Sequence, residues 1–174
     1  MFKIGRVIIT NGTGGSGKDE FAKILNKHIP CVKYSSIDLI KEIASMGGWN
    51  GSKTERDRKF LSDLKILFTE YNDAPFNDIK EMVDNFNDGY LETQFLILDV
   101  REPNEIERAK REFNAITVLV KNDNVKPITS NMADANVLNY NYDYIVDNSG
   151  TLKDLENEVF KFSEWVLDKM YETI

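Results

Sequence analysis

Short apolar runs alternate with longer stretches in which apolar residues recur every three or four positions. The run RVIIT reads as a buried strand, and from Lys18 onward Phe21, Ile24, Leu25 and His28 follow helical spacing. On that pattern His28 faces inward as a packed histidine. CVKYS is a second short strand, and SSIDLIKEIA opens a helix with Ser35 or Ser36 available as N-cap. Ser52 and Glu55 have the spacing of a capping box before a long helix carrying Phe60, Leu61, Leu64, Leu67 and Phe68. After the break NDAPF, the residues Ile79, Met82, Val83 and Phe86 mark another amphipathic helix. QFLILDV is apolar nearly throughout, as a central strand covered on both faces must be. Pro103 opens a charged helix ending near Glu112, AITVLV is a fourth strand and YDYIV a fifth. Thr151 begins a terminal helix with Leu152, Leu155, Val159, Phe162 and Val166 inward. This order predicts an α/β fold of three layers, a five-stranded parallel sheet with helices on both faces and right-handed crossovers.

Composition narrows the class. The 174 residues fit one domain, large enough to bury a core unaided, and 41% of them are hydrophobic. No apolar run approaches the roughly 20 residues of a membrane helix, and the N-terminus lacks the apolar stretch of a signal peptide. The expected location is therefore cytoplasmic, with no membrane partner. Cys31 is the single cysteine, which excludes an internal disulfide framework. A net charge of -7 argues against a nucleic-acid surface, which needs clustered Lys and Arg. An anionic ligand must then be held by local positive charge.

Such a place lies directly behind the first strand, in NGTGGSGKDEF. Gly12, Gly17 and Lys18 match the spacing G-x-x-x-x-G-K between a strand and a helix. Glycines at these points let the backbone curl so that successive N–H groups of Gly12, Thr13, Gly14, Gly15, Ser16 and Gly17 surround phosphate oxygens. The following helix directs its N-terminal partial positive charge at the same anion. Lys18 would reach the terminal phosphates of a nucleotide. Asp19 stands where the usual pattern has a hydroxyl that binds Mg²⁺. Its carboxylate is either a hard ligand for the ion, direct or through water, or a negative charge favouring the helix N-terminus.

The stretch GSGKDEF resembles the G-K-D variant of the Walker A loop in animal-type phosphomevalonate kinases and phage deoxynucleoside monophosphate kinases. Both families have P-loop kinase folds related to nucleoside monophosphate kinases. Their pattern continues with a strand ending in D-x-R, here Asp99-Val100-Arg101, and closes with N-x-G, here Asn148-Ser149-Gly150. The three motifs stand in the right order and span residues 12 to 150. The resemblance implies one P-loop kinase domain over 1–174, with an acceptor-binding helical insertion at about 35–90 and a lid at about 121–141. It further implies ATP and Mg²⁺ as cofactors, with Asp19 and Asp99 toward the metal and Asn148 and Gly150 turned against the adenine. Asp99, at the C-terminal end of a central strand, lies where ligands of open α/β sheets gather. Arg101 would clamp the acceptor phosphate, its alternative being a surface pair with Glu105. For Asn148 and Gly150 the alternative is an ordinary strand-to-helix turn.

In the insertion, positive charge concentrates in Lys53, Arg56, Arg58 and Lys59, with Asp38 a further acceptor contact. Lys53 with Arg56, and Arg56 with Lys59, share a helix face on this spacing, to grip a phosphate or to form a solvated surface. Related kinases carry arginines in the lid; from Glu112 onward this chain has none, and Lys121 and Lys126 are the cations between the fourth and fifth strands. The expected activity is phosphoryl transfer from ATP to a small phosphorylated acceptor, a (deoxy)nucleoside monophosphate before phosphomevalonate or another phosphate ester. A nucleotide-binding module or weak NTPase is the alternative that the arginine-free lid favours. Either would be a monomer or a homodimer.

Overall fold

The computed structural model describes residues 6–126 and 136–171. Its strands are β1 (Val7–Asn11), β2 (Cys31–Ser35), β3 (Phe95–Asp99), β4 (Ile116–Lys121) and β5 (Tyr144–Asp147). Its helices are α1 (Lys18–His28), α2 (Asp38–Met46), α3 (Glu55–Asn72), α4 (Ala74–Asn87), α5 (Pro103–Phe113) and α6 (Leu152–Tyr171). The five strands form one parallel sheet in the order β2-β3-β1-β4-β5. β1 lies between β3 and β4, with Ile8 beside Ile97 on one side and Ile116 on the other. The chain divides into two compact units, residues 1–33 with 92–174, and residues 34–91.

In the first unit, alternation along the strands supplies two apolar faces. One packs Ile8, Ile97, Val118 and Val146 with Phe21, Leu25, Val159 and Phe162 of α1 and α6. Phe162 is ringed by Phe21, Tyr144 and Trp165 at centroid distances of 5.5, 5.1 and 6.0 Å. The opposite face is covered by α5, whose Ile106 and Ala109 are buried and which packs on β1 and β4. Because β1, β3 and β4 are covered from both sides, their runs are mostly apolar, with Thr10, Asn11 and Thr117 as buried polar exceptions.

Two expectations for this unit are corrected. His28 is exposed rather than packed, meeting Phe160 edge-on at 5.5 Å near the helix end. Leu152 is exposed as well; inward positions of α6 begin at Leu155, one turn after the Thr151 cap, whose hydroxyl accepts from Asp154 N–H at 3.3 Å.

Asp143 anchors the entry to β5. It accepts from the Thr117 N–H and hydroxyl, both at 2.9 Å, and pairs with Lys110 at 2.7 Å. Burial raises its pKa, but Lys110 and the Thr117 donors outweigh that and hold it below the ordinary 3.8. Its contribution is therefore in place above that ordinary value and is lost as pH falls through the lower folded-state value. Asp143→Ala strands the buried Thr117 donors and is expected to lower stability by about 2 kcal/mol. Thermal melts at pH 7 should then show Tm about 4 to 8 °C lower, a gap that narrows in acid.

The second unit contains α2, α3 and α4. Tyr34 donates to Asp78 at 2.6 Å, and Lys65 donates to the buried Ser36 hydroxyl at 3.2 Å. Ile40, Ala44, Phe76, Ile79, Val83 and Phe86 are its buried apolar residues. Neither Ser35 nor Ser36 caps α2. The helix begins at Asp38 after Ile37, and the Asp38 carboxylate instead accepts from Ser35 N–H at 2.9 Å. The capping box of α3 sits two residues later than Ser52 and Glu55. Thr54 accepts from Asp57 N–H at 3.2 Å, and Asp57 accepts from Thr54 N–H at 3.0 Å. Lys53 thus precedes the helix and shares no helical face with Arg56. The apolar stripe of α3 is only partly covered: Leu61, Leu64 and Phe68 are half-buried, while Phe60 is 44% and Leu67 61% exposed.

Candidate phosphate-binding site

The site is built where β1 gives way to α1. β1 delivers the chain to Asn11, the loop of residues 12–17 turns, and α1 starts at Lys18. Within the loop, Ser16 N–H donates to Thr13 C=O at 2.9 Å, and Phe21 N–H donates to Gly17 C=O at 2.8 Å to begin the helix. Two glycines are sterically required. A Cβ on Gly12 would lie 2.5 Å from the Val120 carbonyl oxygen of β4. Gly17 sits in the left-handed region at φ 100°, and a Cβ there would run into the Asn148 side-chain amide. The first N–H groups of a helix have no partner within it, so α1 presents donors toward the loop's concavity.

Lys18 arches back over this loop. Its ammonium donates to Gly12 C=O at 2.6 Å and Thr13 C=O at 3.4 Å, which spans a positive charge across the cradle. The sequence placed Gly12, Thr13, Gly14, Gly15, Ser16, Gly17 and Lys18 in one loop, and they are contiguous here around a single turn.

The loop is held from two sides. Asn11, fully buried, accepts from Gly12 N–H at 2.8 Å and donates to Arg101 C=O at 3.1 Å and Tyr142 Oη at 2.8 Å. Tyr142 in turn donates to Val137 C=O at 2.7 Å, and burial pushes its hydroxyl up to about 12. From the other flank, Asn148 donates through its side-chain amide to Ser16 C=O at 2.8 Å. The turn of Asn148 to Gly150 is itself fixed by residues 123 and 124, whose donors reach Ser149 Oγ at 2.9 Å and Ser149 C=O at 2.6 Å. Asn148 therefore has a mechanical task in supporting the loop.

A second charged group, which the sequence disclosed only in part, joins the end of β3 to the start of α1. Asp99 ends β3, is 13% exposed, and accepts from the Thr10 hydroxyl. Lys33 of β2 pairs with Asp99 at 2.8 Å and also with Asp19 in the first turn of α1. One ammonium thus joins the two carboxylates expected to serve the metal. The hydrogen bond from Lys33 holds the Asp19 carboxyl below its ordinary range, against a smaller effect of burial. Burial alone would push Lys33 down, but the charges of Asp99 and Asp19 raise it, so it stays protonated through neutral pH. The donor set fits Mg²⁺: two hard carboxylates converge on one point, with the Thr10 hydroxyl against one of them. Among the described residues no group of three acidic, His or Cys side chains forms a complete metal cage. The remaining ligands would have to be phosphate oxygens and water, the usual arrangement for this ion.

No family model and no curated protein matches the chain. Among solved structures, it is similar to TT1252 from Thermus thermophilus, at 16% identity and TM-score 0.49 over 92% of this chain and 97% of that one. It is also similar to a shikimate kinase from Bacteroides thetaiotaomicron, at 15% identity and TM-score 0.48 over 92% and 98% of the two chains. A gluconokinase from Sinorhizobium meliloti 1021 aligns at 10% identity and TM-score 0.47 over 95% of each. Likeness at this level leaves the chemistry to this chain's own side chains.

The other expected residues divide between the units. Arg101 follows β3, and its carbonyl is the one held by Asn11. In the second unit Asp38 pairs with Lys41 at 2.8 Å, and Lys53, Arg56, Arg58 and Lys59 are all exposed at the start of α3. Arg58 donates to Lys53 C=O at 3.3 Å, and Lys59 pairs with Asp63 one turn on. The expected lid at 121–141 falls partly on residues 127–135, which lie outside the described residues. Among the described residues no helix is long and apolar enough to cross a membrane.

Asn11 and Lys33 were missed by the sequence reading. The only local signals are a polar residue closing an otherwise apolar strand, and a lysine inside the strand CVKYS.

Proposed function

We propose that this protein is an ATP-dependent kinase of the P-loop type, transferring the γ-phosphoryl group to a small acceptor that already carries a phosphate. The observation that carries this reading is the glycine loop closed against β4, with Lys18 arched across it and the Asp19 and Asp99 carboxylates joined through Lys33. A (deoxy)nucleoside monophosphate is the preferred acceptor, on the resemblance of GSGKDEF, D-V-R and N-S-G to the motifs of such kinases.

In this reading the loop N–H groups and the helix end hold the β- and γ-phosphates, and Lys18 leaves the loop carbonyls to follow charge onto the transferring group. Bound Mg²⁺ would supply electrostatic neutralisation between the phosphates, held by Asp99 and Asp19 directly or through water. Thr10 fixes the rotamer of Asp99 from within the sheet. Asn11 sets the entry angle of the loop and the chain direction after Arg101, so Arg101 can present its planar fork to the acceptor phosphate. Lys53, Arg56, Arg58 and Lys59 supply further positive charge for that phosphate. Asn148 and Gly150 border the base of the donor.

A second reading, a nucleotide-binding module or slow NTPase, is favoured by the lack of arginine after Glu112. One experiment separates them: coupled ADP release with Mg-ATP, screened over deoxynucleoside monophosphates, ribonucleoside monophosphates and phosphomevalonate. A kinase gives release that rises with one acceptor by about a hundredfold or more over water. Acceptor-independent release supports the hydrolase, and no thermal shift on adding Mg-ATP removes nucleotide binding altogether.

A further inference from the structure

Within the site just proposed, one cation has no assigned part. Lys33 stands on β2, its side chain 24% exposed, and its ammonium joins Asp99 to Asp19. Those are the two carboxylates that a divalent ion would have to use. The ammonium occupies Asp19 Oδ1 and Asp99 Oδ2, and a divalent ion brought between the same two carboxylates would meet its charge at close range and be repelled. Asp19 and Asp99 carry the negative charge at that point; Lys33 pairs with both, and the ammonium groups of Lys18 and Lys23 also act on Asp19. The described first unit therefore holds its own counter-cation where the metal belongs.

We infer that Lys33 is a tethered counter-cation that blocks metal binding at Asp19 and Asp99 until nucleotide arrives, and that it yields the two carboxylates when Mg²⁺ enters with the phosphates. This deepens the kinase reading and rests on it. The consequence is ordered loading. Metal alone is repelled by Lys33 and by Lys18, whereas metal already carried on a triphosphate brings compensating negative charge into the cradle. Once displaced, the Lys33 ammonium remains beside the phosphates on a flexible stem, a positive charge in a protein that has no arginine after Glu112.

The test uses the metal by itself. Mn²⁺ binding to nucleotide-free protein is followed by the EPR signal of the free ion, for wild type, Lys33→Met and Lys33→Arg. Wild type should bind weakly, Lys33→Met about tenfold more tightly because the competing charge is gone, and Lys33→Arg no better than wild type. Equal or weaker binding by a folded Lys33→Met overturns the inference. So does tight, micromolar binding by nucleotide-free wild type, which requires no variant at all. Should Lys33→Met melt far below wild type, Lys33→Gln keeps a polar end and answers the same question. Failure of the kinase reading shows separately, as wild type that takes up no Mg-ATP in calorimetry. A tighter Lys33→Met in that case still establishes Lys33 as the blocking cation.

Discussion

Lys18→Ala is expected to lower acceptor-dependent ADP release by about three orders of magnitude, with Tm within about 3 °C of wild type. The two halves of that expectation have different origins. The ammonium of Lys18 donates to Gly12 and Thr13 carbonyls in a half-open loop, and water replaces those bonds when the side chain is cut back. Stability changes little because neither carbonyl is left dry. Transfer suffers because charge moving onto the γ-phosphoryl oxygens then has only N–H dipoles and the metal to meet it. Calorimetry with Mg-ATP should show weakened but measurable binding, since the backbone cradle is intact. Turnover equal to wild type would remove Lys18 from the chemistry. Lys18→Arg is expected to recover only a small part, because the broader guanidinium fork does not retrace the path of an ammonium across so short a loop.

The sheet was legible from sequence because three of its strands are covered on both faces, which leaves unbroken apolar runs such as FLIL and ITVLV. The loop was legible for a different reason: Gly12 to Lys18 are neighbours in the chain, so spacing alone carries their geometry. Asn11 and Lys33 act across the fold instead. Asn11 reaches residues 90 and 131 positions away, and those partners come within range only through the strand order. Local pattern contains no trace of that order. The capping box slipped because Ser52–Glu55 and Thr54–Asp57 offer the same spacing two residues apart. Which one closes depends on backbone angles, here φ -65° and ψ 165° at Thr54. The stripe of α3 misled for a related reason. Periodicity shows that a helix has an apolar side and is silent on how much of it is covered, as Phe60 and Leu67 demonstrate.

Charge arrangement is where sequence and structure diverge most in meaning. From sequence, Asp19 is a carboxylate where the usual pattern has a hydroxyl. In the folded chain it is one arm of an ion pair with Lys33, which also engages Asp99. The carboxylate at residue 19 is thus balanced by a lysine at residue 33 on the next strand. The acidic net charge of -7 is no obstacle to binding an anion when the cradle carries its own cations.

Gly12→Ala is expected to abolish Mg-ATP binding and to lower Tm by about 3 to 10 °C, corresponding to a strain of about 1 to 3 kcal/mol. The added methyl would meet two groups, the Ser16 hydroxyl and the Val120 carbonyl oxygen at 2.5 Å. Ser16 can rotate away. Val120 cannot, because β4 lies between β1 and β5 and Val120 is in register with Val146. The loop must therefore lift from the sheet at its first residue. Lifting it pulls Gly12 N–H from Asn11 and turns the Gly12 carbonyl away from Lys18, so the donors that should converge on phosphate diverge. Circular dichroism and thermal melts report the folding loss, and calorimetry with Mg-ATP reports the binding loss. A Gly12→Ala protein that binds Mg-ATP with wild-type affinity would show that this loop is not the phosphate cradle, whatever its spacing.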